Sequence, residues 1–136
     1  MYLDLIIFSP QVPFFRNDAG VLLEKPICAS VITAPAPNGD AVARNEPRNL
    51  PLIEPALRRR AEMILRVAQA HKVERLVLGA WGCGVFRNDP AQVASIFAEL
   101  IKPTGRFAGM FRDVLFSVYD RAEPPLILQA FVNTFR

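Results

Sequence analysis

The sequence predicts an α/β domain with a mostly parallel sheet flanked by helices, and three observations carry that prediction. Short apolar runs alternate with stretches of helical periodicity, in the order β, β, α, β, α, β, α. One run, Arg75–Ala80 (RLVLGA), is continuously apolar, as expected of a strand buried on both faces in a parallel sheet. The chain of 136 residues is 51% hydrophobic and 21% charged, which excludes intrinsic disorder and allows one domain, residues 1–136, with a real core.

Each element has its own local justification. Leu3–Ser9 (LDLIIFS) is a short apolar run stopped by Pro10 and reads as a strand. Asn17-Asp18-Ala19-Gly20 is a turn. Ile27–Thr33 (ICASVIT) follows Pro26, is rich in β-branched residues, and reads as the second strand. Ala34-Pro35-Ala36-Pro37-Asn38-Gly39 cannot continue a ladder, and the stretch from Asp40 to Pro51 is polar and irregular. Glu54–Lys72 is the long helix, with Leu57, Ala61, Ile64, Leu65 and Ala68 on one face and Arg58, Arg59, Glu62 and Arg66 on the other. After the strand at Arg75–Ala80, Asp89-Pro90-Ala91-Gln92 supplies an N-cap, a proline at the first helical position and a capping-box partner. Val93, Ile96, Phe97, Leu100 and Ile101 form the apolar face of that helix. Asp113–Tyr119 (DVLFSVY) is the fourth strand, and Pro124-Pro125 opens a terminal helix through Phe135.

Composition narrows the function classes. Net charge is +3, too weak to argue for direct nucleic-acid binding. Thirteen of the sixteen basic residues are Arg, a bias that suits phosphate or carboxylate recognition and that a GC-rich genome produces equally well. Two cysteines, Cys28 and Cys83, make no disulfide framework and no structural zinc site. His71 is the only histidine and reads as a helix C-terminal residue, so Ser-His or Cys-His chemistry has little to work with. No apolar run approaches the ~20 residues of a membrane span. The N-terminus lacks the basic region and small-residue cleavage site of a signal peptide, so a cytoplasmic location is expected.

The informative segment is Leu76 to Pro90, where a strand runs into a loop holding Gly79, Gly82 and Gly84 and then into a capped helix. Glycines let the backbone take positive φ and let a ligand approach the amides closely. A helix N-terminus behind such a loop favours an anion. The segment therefore reads as a phosphate or diphosphate cradle at the carboxyl end of a strand. It is not a P-loop, for no Gly-Lys-Ser/Thr follows, and its G-x-x-G-x-G order is a poor dinucleotide fingerprint. Cys83 reads as a small residue filling a tight turn.

Gly79-Ala-Trp-Gly-Cys-Gly-Val-Phe-Arg-Asn-Asp-Pro-Ala-Gln-Val-Ala94 resembles the diphosphate-binding loop of macrodomains. More specifically, it resembles the bacterial-type poly(ADP-ribose) glycohydrolase family. Ser9-Pro-Gln-Val-Pro-Phe-Phe-Arg16 and Val31-Ile-Thr-Ala-Pro-Ala-Pro-Asn38 fit the same family in order and spacing. The resemblance implies a three-layer macrodomain-like fold and an ADP-ribose site. It places Gly79, Trp81, Gly82, Cys83, Gly84, Val85, Phe86 and Arg87 at the ligand. The amides of Gly84, Val85 and Phe86 would hold the diphosphate, the Phe86 ring would pack on a ribose or the adenine, and Trp81 would shape the loop floor. Arg87 stands where such loops often carry glycine and would add a charge contact or point to solvent. Ser9, Thr33 and Asn38 are expected to line the site as strand ends on one edge. ADP-ribose or an ADP-ribosylated protein is the implied partner, with no cofactor and no metal.

The chain departs from the family in one respect. The family signature is a glycine triplet followed by Gln-Glu-Glu, in which a glutamate acts as general acid. No two glycines and no two acidic residues are adjacent here. The resemblance is therefore to the C-terminal half of the family, with no assignable catalytic residue. Hydrolysis would need completion by another segment or chain, or an acid such as Asp40 or Glu46, and a bare assembly module is the further alternative. A truncated sheet would leave apolar surface open, which predicts a homodimer through Leu3–Phe8 or Leu126–Phe135.

Overall fold

The computed structural model describes residues 3–136. Strand β1 (Ile7–Arg16) and strand β2 (Leu22–Thr33) form an antiparallel hairpin, with Ile7 opposite Thr33 and Arg16 opposite Leu22. The expected turn closes it: Gly20 has φ +79°, and the Asn17 Oδ1 accepts from the amides of Ala19 and Val21, both at 3.0 Å. The first strand thus lies well beyond Leu3–Ser9, and the second begins before Pro26. Pro10 and Pro13 do not end β1, because a two-stranded ribbon has a free edge on which a missing N–H costs little. The register shifts between Ser9 and Val12, where Gln11 takes φ +53°.

The stretch expected to be irregular is helical. Helix α1 (Gly39–Asn45) starts at Asn38, whose Oδ1 accepts from the Ala41 amide at 3.0 Å, and a 3₁₀ segment (Pro47–Leu52) leads into the long helix α2 (Ile53–Ala70). Strand β3 (Arg75–Gly79) pairs in parallel with β4 (Asp113–Ser117) through helix α3 (Pro90–Ile101), and α4 (Leu126–Phe135) closes the chain. Asp89 caps α3, its carboxylate accepting from the Ala91 amide at 2.9 Å. The capping box is not formed: the Gln92 side chain donates to Glu54 of α2 at 3.3 Å.

Period-2 alternation sorts the parallel pair. Leu76, Leu78, Val114 and Phe116 face the helices, where Leu57, Leu65, Val93 and Phe97 make the core. Aromatic rings run through it from the β3 end: Trp81 is edge-on to Phe97, Phe97 is edge-on to Phe116, and Phe116 stacks on Phe135 at 4.4 Å between centroids. Burial on both faces does not hold for β3. Val77 is 68% exposed and Leu115 of β4 62%, because no described residue covers that face.

One charged side chain lies inside this core. Arg60 of α2 is 1% exposed. Its Nε donates to Asp4 at 2.6 Å and a terminal nitrogen donates to the Pro35 carbonyl at 3.0 Å. Arg59 donates to the other Asp4 oxygen at 2.6 Å. These bonds fasten the segment after β2 to the long helix.

Candidate functional site

Two loops leave neighbouring strands and are sewn together. The first is residues 34–40, following β2; the second is residues 79–88, following β3. The Trp81 indole N–H donates to the Ala34 carbonyl at 3.0 Å. The Asn88 amide nitrogen donates to the carbonyls of Pro37, at 2.9 Å, and Gly82, at 3.0 Å. The Asp40 backbone N–H donates to the Phe86 carbonyl at 3.0 Å. Contact this close needs residues without side chains. A Cβ on Gly82 would lie 2.6 Å from that of Ala36, and one on Gly39 would lie 2.9 Å from the Asn88 carbonyl oxygen. Gly82 also needs its φ of +75°.

Within the second loop, Cys83 N–H bonds to Ala80, Arg87 N–H to Gly84 and Asn88 N–H to Gly82. The loop therefore turns twice and leaves Gly84 and Val85 outermost. Both are exposed, and their amides have no partner among the described residues. A Cβ at Gly84 would meet nothing within 4 Å, so this glycine is open toward solvent and is not strained. Phe86 is half-buried beside them. The arrangement can accept an anion on backbone donors. At the N-terminus of α3 behind the loop, the Asp89 carboxylate caps the Ala91 amide.

The sequence-derived candidates separate under this geometry. Gly79, Trp81, Gly82, Gly84, Val85, Phe86 and Arg87 lie together in the second loop, and Asn38 and Gly39 abut it from the first. Cys83 shares the loop backbone, but its side chain belongs to the core, and burial followed by the Asp89 charge pushes its thiol up to about 11. Asn38 contributes as the cap of α1. Thr33 ends β2 as expected, one residue before the Trp81 acceptor. Ser9 does not end a strand: it lies inside β1 opposite Val31, the consequence of the strand running on through its prolines. His71 is remote from the loop and stacks on Phe8 at 3.6 Å. The two candidate acids are engaged elsewhere, Asp40 with Arg44 at 2.6 Å and Glu46 with Asn49. Among the described residues no group of three His, Cys, Asp or Glu is placed to hold a metal.

Arg87 takes φ +52°, which explains a preference for glycine there, and forms no ion pair among the described residues. In an Arg87→Gly variant, relief of that backbone is offset by added freedom in the unfolded chain, so stability should change by less than ~1 kcal/mol. If Arg87 touches a bound diphosphate, the variant's ADP-ribose affinity falls and becomes less sensitive to salt; equal affinity at low and high salt in both proteins shows the side chain pointing to solvent.

Sequence reasoning missed Asn88 and Arg60. Asn88 is 4% exposed, an unusual burial for an amide in a loop, and it is the central rivet between the two segments. Arg60 follows Ala56 and Leu57 at helical spacing and precedes Ile64, so a lone arginine inside an apolar stripe was its readable signal.

This fold and loop define a macrodomain-like α/β protein. Within that class the chain matches bacterial poly(ADP-ribose) glycohydrolases. With the Deinococcus radiodurans protein solved in complex with ADP-ribose it shares 50% identity at a TM-score of 0.93, covering 99% of this chain and 53% of that one. The apo form of the same protein gives 50% identity and a TM-score of 0.91, covering 98% and 54%. The Thermomonospora curvata glycohydrolase gives 49% identity and a TM-score of 0.91, covering 98% and 48%. The chain thus spans about half the length of these proteins. No protein-family model and no curated protein matches it. No helix among the described residues is long and apolar enough to cross a membrane.

Proposed function

We propose that the paired loops bind ADP-ribose, free or attached to protein. The amides of Gly84 and Val85 take the diphosphate, Phe86 packs on a ribose or the adenine, and Trp81 fixes the floor. The observation that carries this reading is the pair of unpartnered, exposed amides on a loop riveted to its neighbour by Asn88. The structure of a protein 50% identical in complex with ADP-ribose supports the same ligand class. The two candidate acids, Asp40 and Glu46, are held by Arg44 and Asn49, which supports binding without hydrolysis by this chain alone. Losing a general acid typically costs ~10²–10⁴-fold in rate. Titration calorimetry with ADP-ribose should give saturable heat, and purified chain should release no ADP-ribose from the polymer at a rate within tenfold of an intact family member. Absence of heat at millimolar ADP-ribose overturns the binding reading.

The same reading carries a cytoplasmic location and a two-fold dimer. Leu3, Leu5 and Ile7 are 73%, 67% and 63% exposed, and Leu126 on α4 is 62% exposed. Apolar side chains so displayed favour self-association. Light scattering at micromolar concentration should give twice 15.2 kDa; a mass near 15.2 kDa removes the dimer.

A further inference from the structure

We propose that Asn88 is the positioning residue of the anion loop: without touching the ligand, it sets how tightly the Gly84 and Val85 amides hold a diphosphate, by fixing both ends of the turn that displays them. The role rests on the ADP-ribose reading of the same loop. Asn88 is 4% exposed. Its backbone N–H donates to the Gly82 carbonyl at 3.1 Å, and its side-chain Nδ2 donates to the same oxygen at 3.0 Å. Two bonds onto one acceptor close residues 82–88 into a ring. The bond from the Arg87 N–H to the Gly84 carbonyl, 3.0 Å, lies inside that ring. Gly84 and Val85 sit on the outer rim, and the two ends of the ring meet at one side chain.

The other Nδ2 hydrogen reaches across to the first loop, to the Pro37 carbonyl at 2.9 Å. One side chain therefore ties the ring to a segment some fifty positions earlier, and the bond from the Asp40 N–H to the Phe86 carbonyl, 3.0 Å, repeats the tie three residues on. The position needs an amide. Both partners are carbonyl oxygens, so two N–H donors are required on one atom, and a carboxylate would set acceptor against acceptor. The remaining Oδ1 is buried without a hydrogen-bond partner among the described residues. It faces Gly39, where a Cβ would lie 2.9 Å away. A buried acceptor left unpaired is destabilising. The side chain is thus not optimised for stability alone; what it secures is the spacing of the loop.

Fixing a binding loop in advance raises affinity, because less conformational freedom is lost when the ligand arrives. Residues 82–88 include Gly82 and Gly84, which leave an open chain many backbone states to sample. Closed by Asn88, the ring presents its two outer amides in one arrangement. The coupling is reciprocal: a diphosphate on the Gly84 and Val85 amides tightens the bonds from Asn88 to Gly82 and Pro37. Such a residue affects affinity more than folding. The cluster that holds the domain together, with Leu57, Leu65, Val93 and Phe97 at its centre, does not include it.

The test compares Asn88→Ala, Asn88→Asp and Gly105→Ala in the full chain, by ADP-ribose calorimetry at a temperature where each is folded. Gly105 lies beyond the C-terminal end of α3, a helix about 18 Å long that starts beside the loop. A Cβ there would strike the Leu100 carbonyl, so Gly105→Ala should lower the melting temperature and leave ADP-ribose affinity unchanged. Asn88→Ala should bind at least ~10-fold more weakly than the natural chain. Asn88→Asp should bind more weakly still at about pH 8 and regain part of the loss at about pH 5, where a protonated carboxyl supplies one donor; the natural chain should show no such recovery. Without ligand, hydrogen exchange at the Arg87 amide should quicken in Asn88→Ala and not in Gly105→Ala. Asn88→Ser, which keeps one donor, takes the place of Asn88→Ala if the latter does not fold. Full affinity in the Asn88 variants overturns the positioning role and leaves the loop reading standing. An equal loss in Gly105→Ala also overturns it, since affinity would then follow stability. Absence of heat with the natural chain overturns the loop reading and the role together.

Discussion

Gly84→Ile should bind ADP-ribose at least ~100-fold more weakly than the natural chain, a loss of about 2.8 kcal/mol, while melting at the same temperature. The fold tolerates the change because Gly84 has no positive φ and a Cβ there meets nothing within 4 Å. The ligand does not tolerate it, since the branched side chain would occupy the space above the Gly84 and Val85 amides. Gly82→Ala is the contrasting variant: its Cβ would strike Ala36 and Asn88 at a φ of +75°, so it should lower stability as well as affinity. Calorimetry paired with thermal melts separates the two. Full affinity in Gly84→Ile places the ligand elsewhere.

Arg60→Met should cost ~1–3 kcal/mol of folding stability, measured by urea unfolding. Methionine matches the stem but leaves the Pro35 carbonyl without its donor, and an acceptor orphaned inside a protein costs ~1–3 kcal/mol on its own. It also removes one of the two guanidinium groups on Asp4. Those groups, Arg59 first and Arg60 second, hold the Asp4 carboxyl at about 2 against an ordinary 3.8. A carboxyl lowered in the folded state stabilises it fully above its unfolded value and loses that contribution as pH falls through its folded value. The natural chain should therefore weaken between pH 3.8 and about 2, and Arg60→Met should show a shallower decline over that window. Equal urea midpoints, or identical acid profiles, would mean that Arg60 is not the anchor of residues 34–40.

Periodic elements were legible from the residues, and the others were not, for identifiable reasons. Helix α2 lies at Ile53–Ala70 against an expected Glu54–Lys72, and β3 and α3 fall within a residue or so of expectation, because each buries one stripe or face in the core. The hairpin has no such stripe: most of β1 and β2 is exposed, and three prolines punctuate it. Helix α1 is seven residues long, too short for periodicity to show, although Asn38 as a cap and the Asp40–Arg44 spacing marked it. The second loop was readable through its glycines. Its clasp to residues 34–40 was not, because Asn88 and Gly82 acquire their partners from a segment some fifty positions away, and local sequence holds no record of that meeting.

Trp81 is the only tryptophan in the chain, and its indole N–H is committed to Ala34 in the first loop while its ring abuts Phe97. The protein consequently carries an intrinsic optical gauge at the seam between its two loops. Emission excited at the tryptophan band reads this one position, without contributions from elsewhere. Parting of the loops, as when Asn88 loses its amide, would wet the indole and shift its spectrum to the red, whereas a nucleotide settling above the seam would dim it. Stopped-flow fluorescence can then time the arrival of a ligand on an unlabelled molecule.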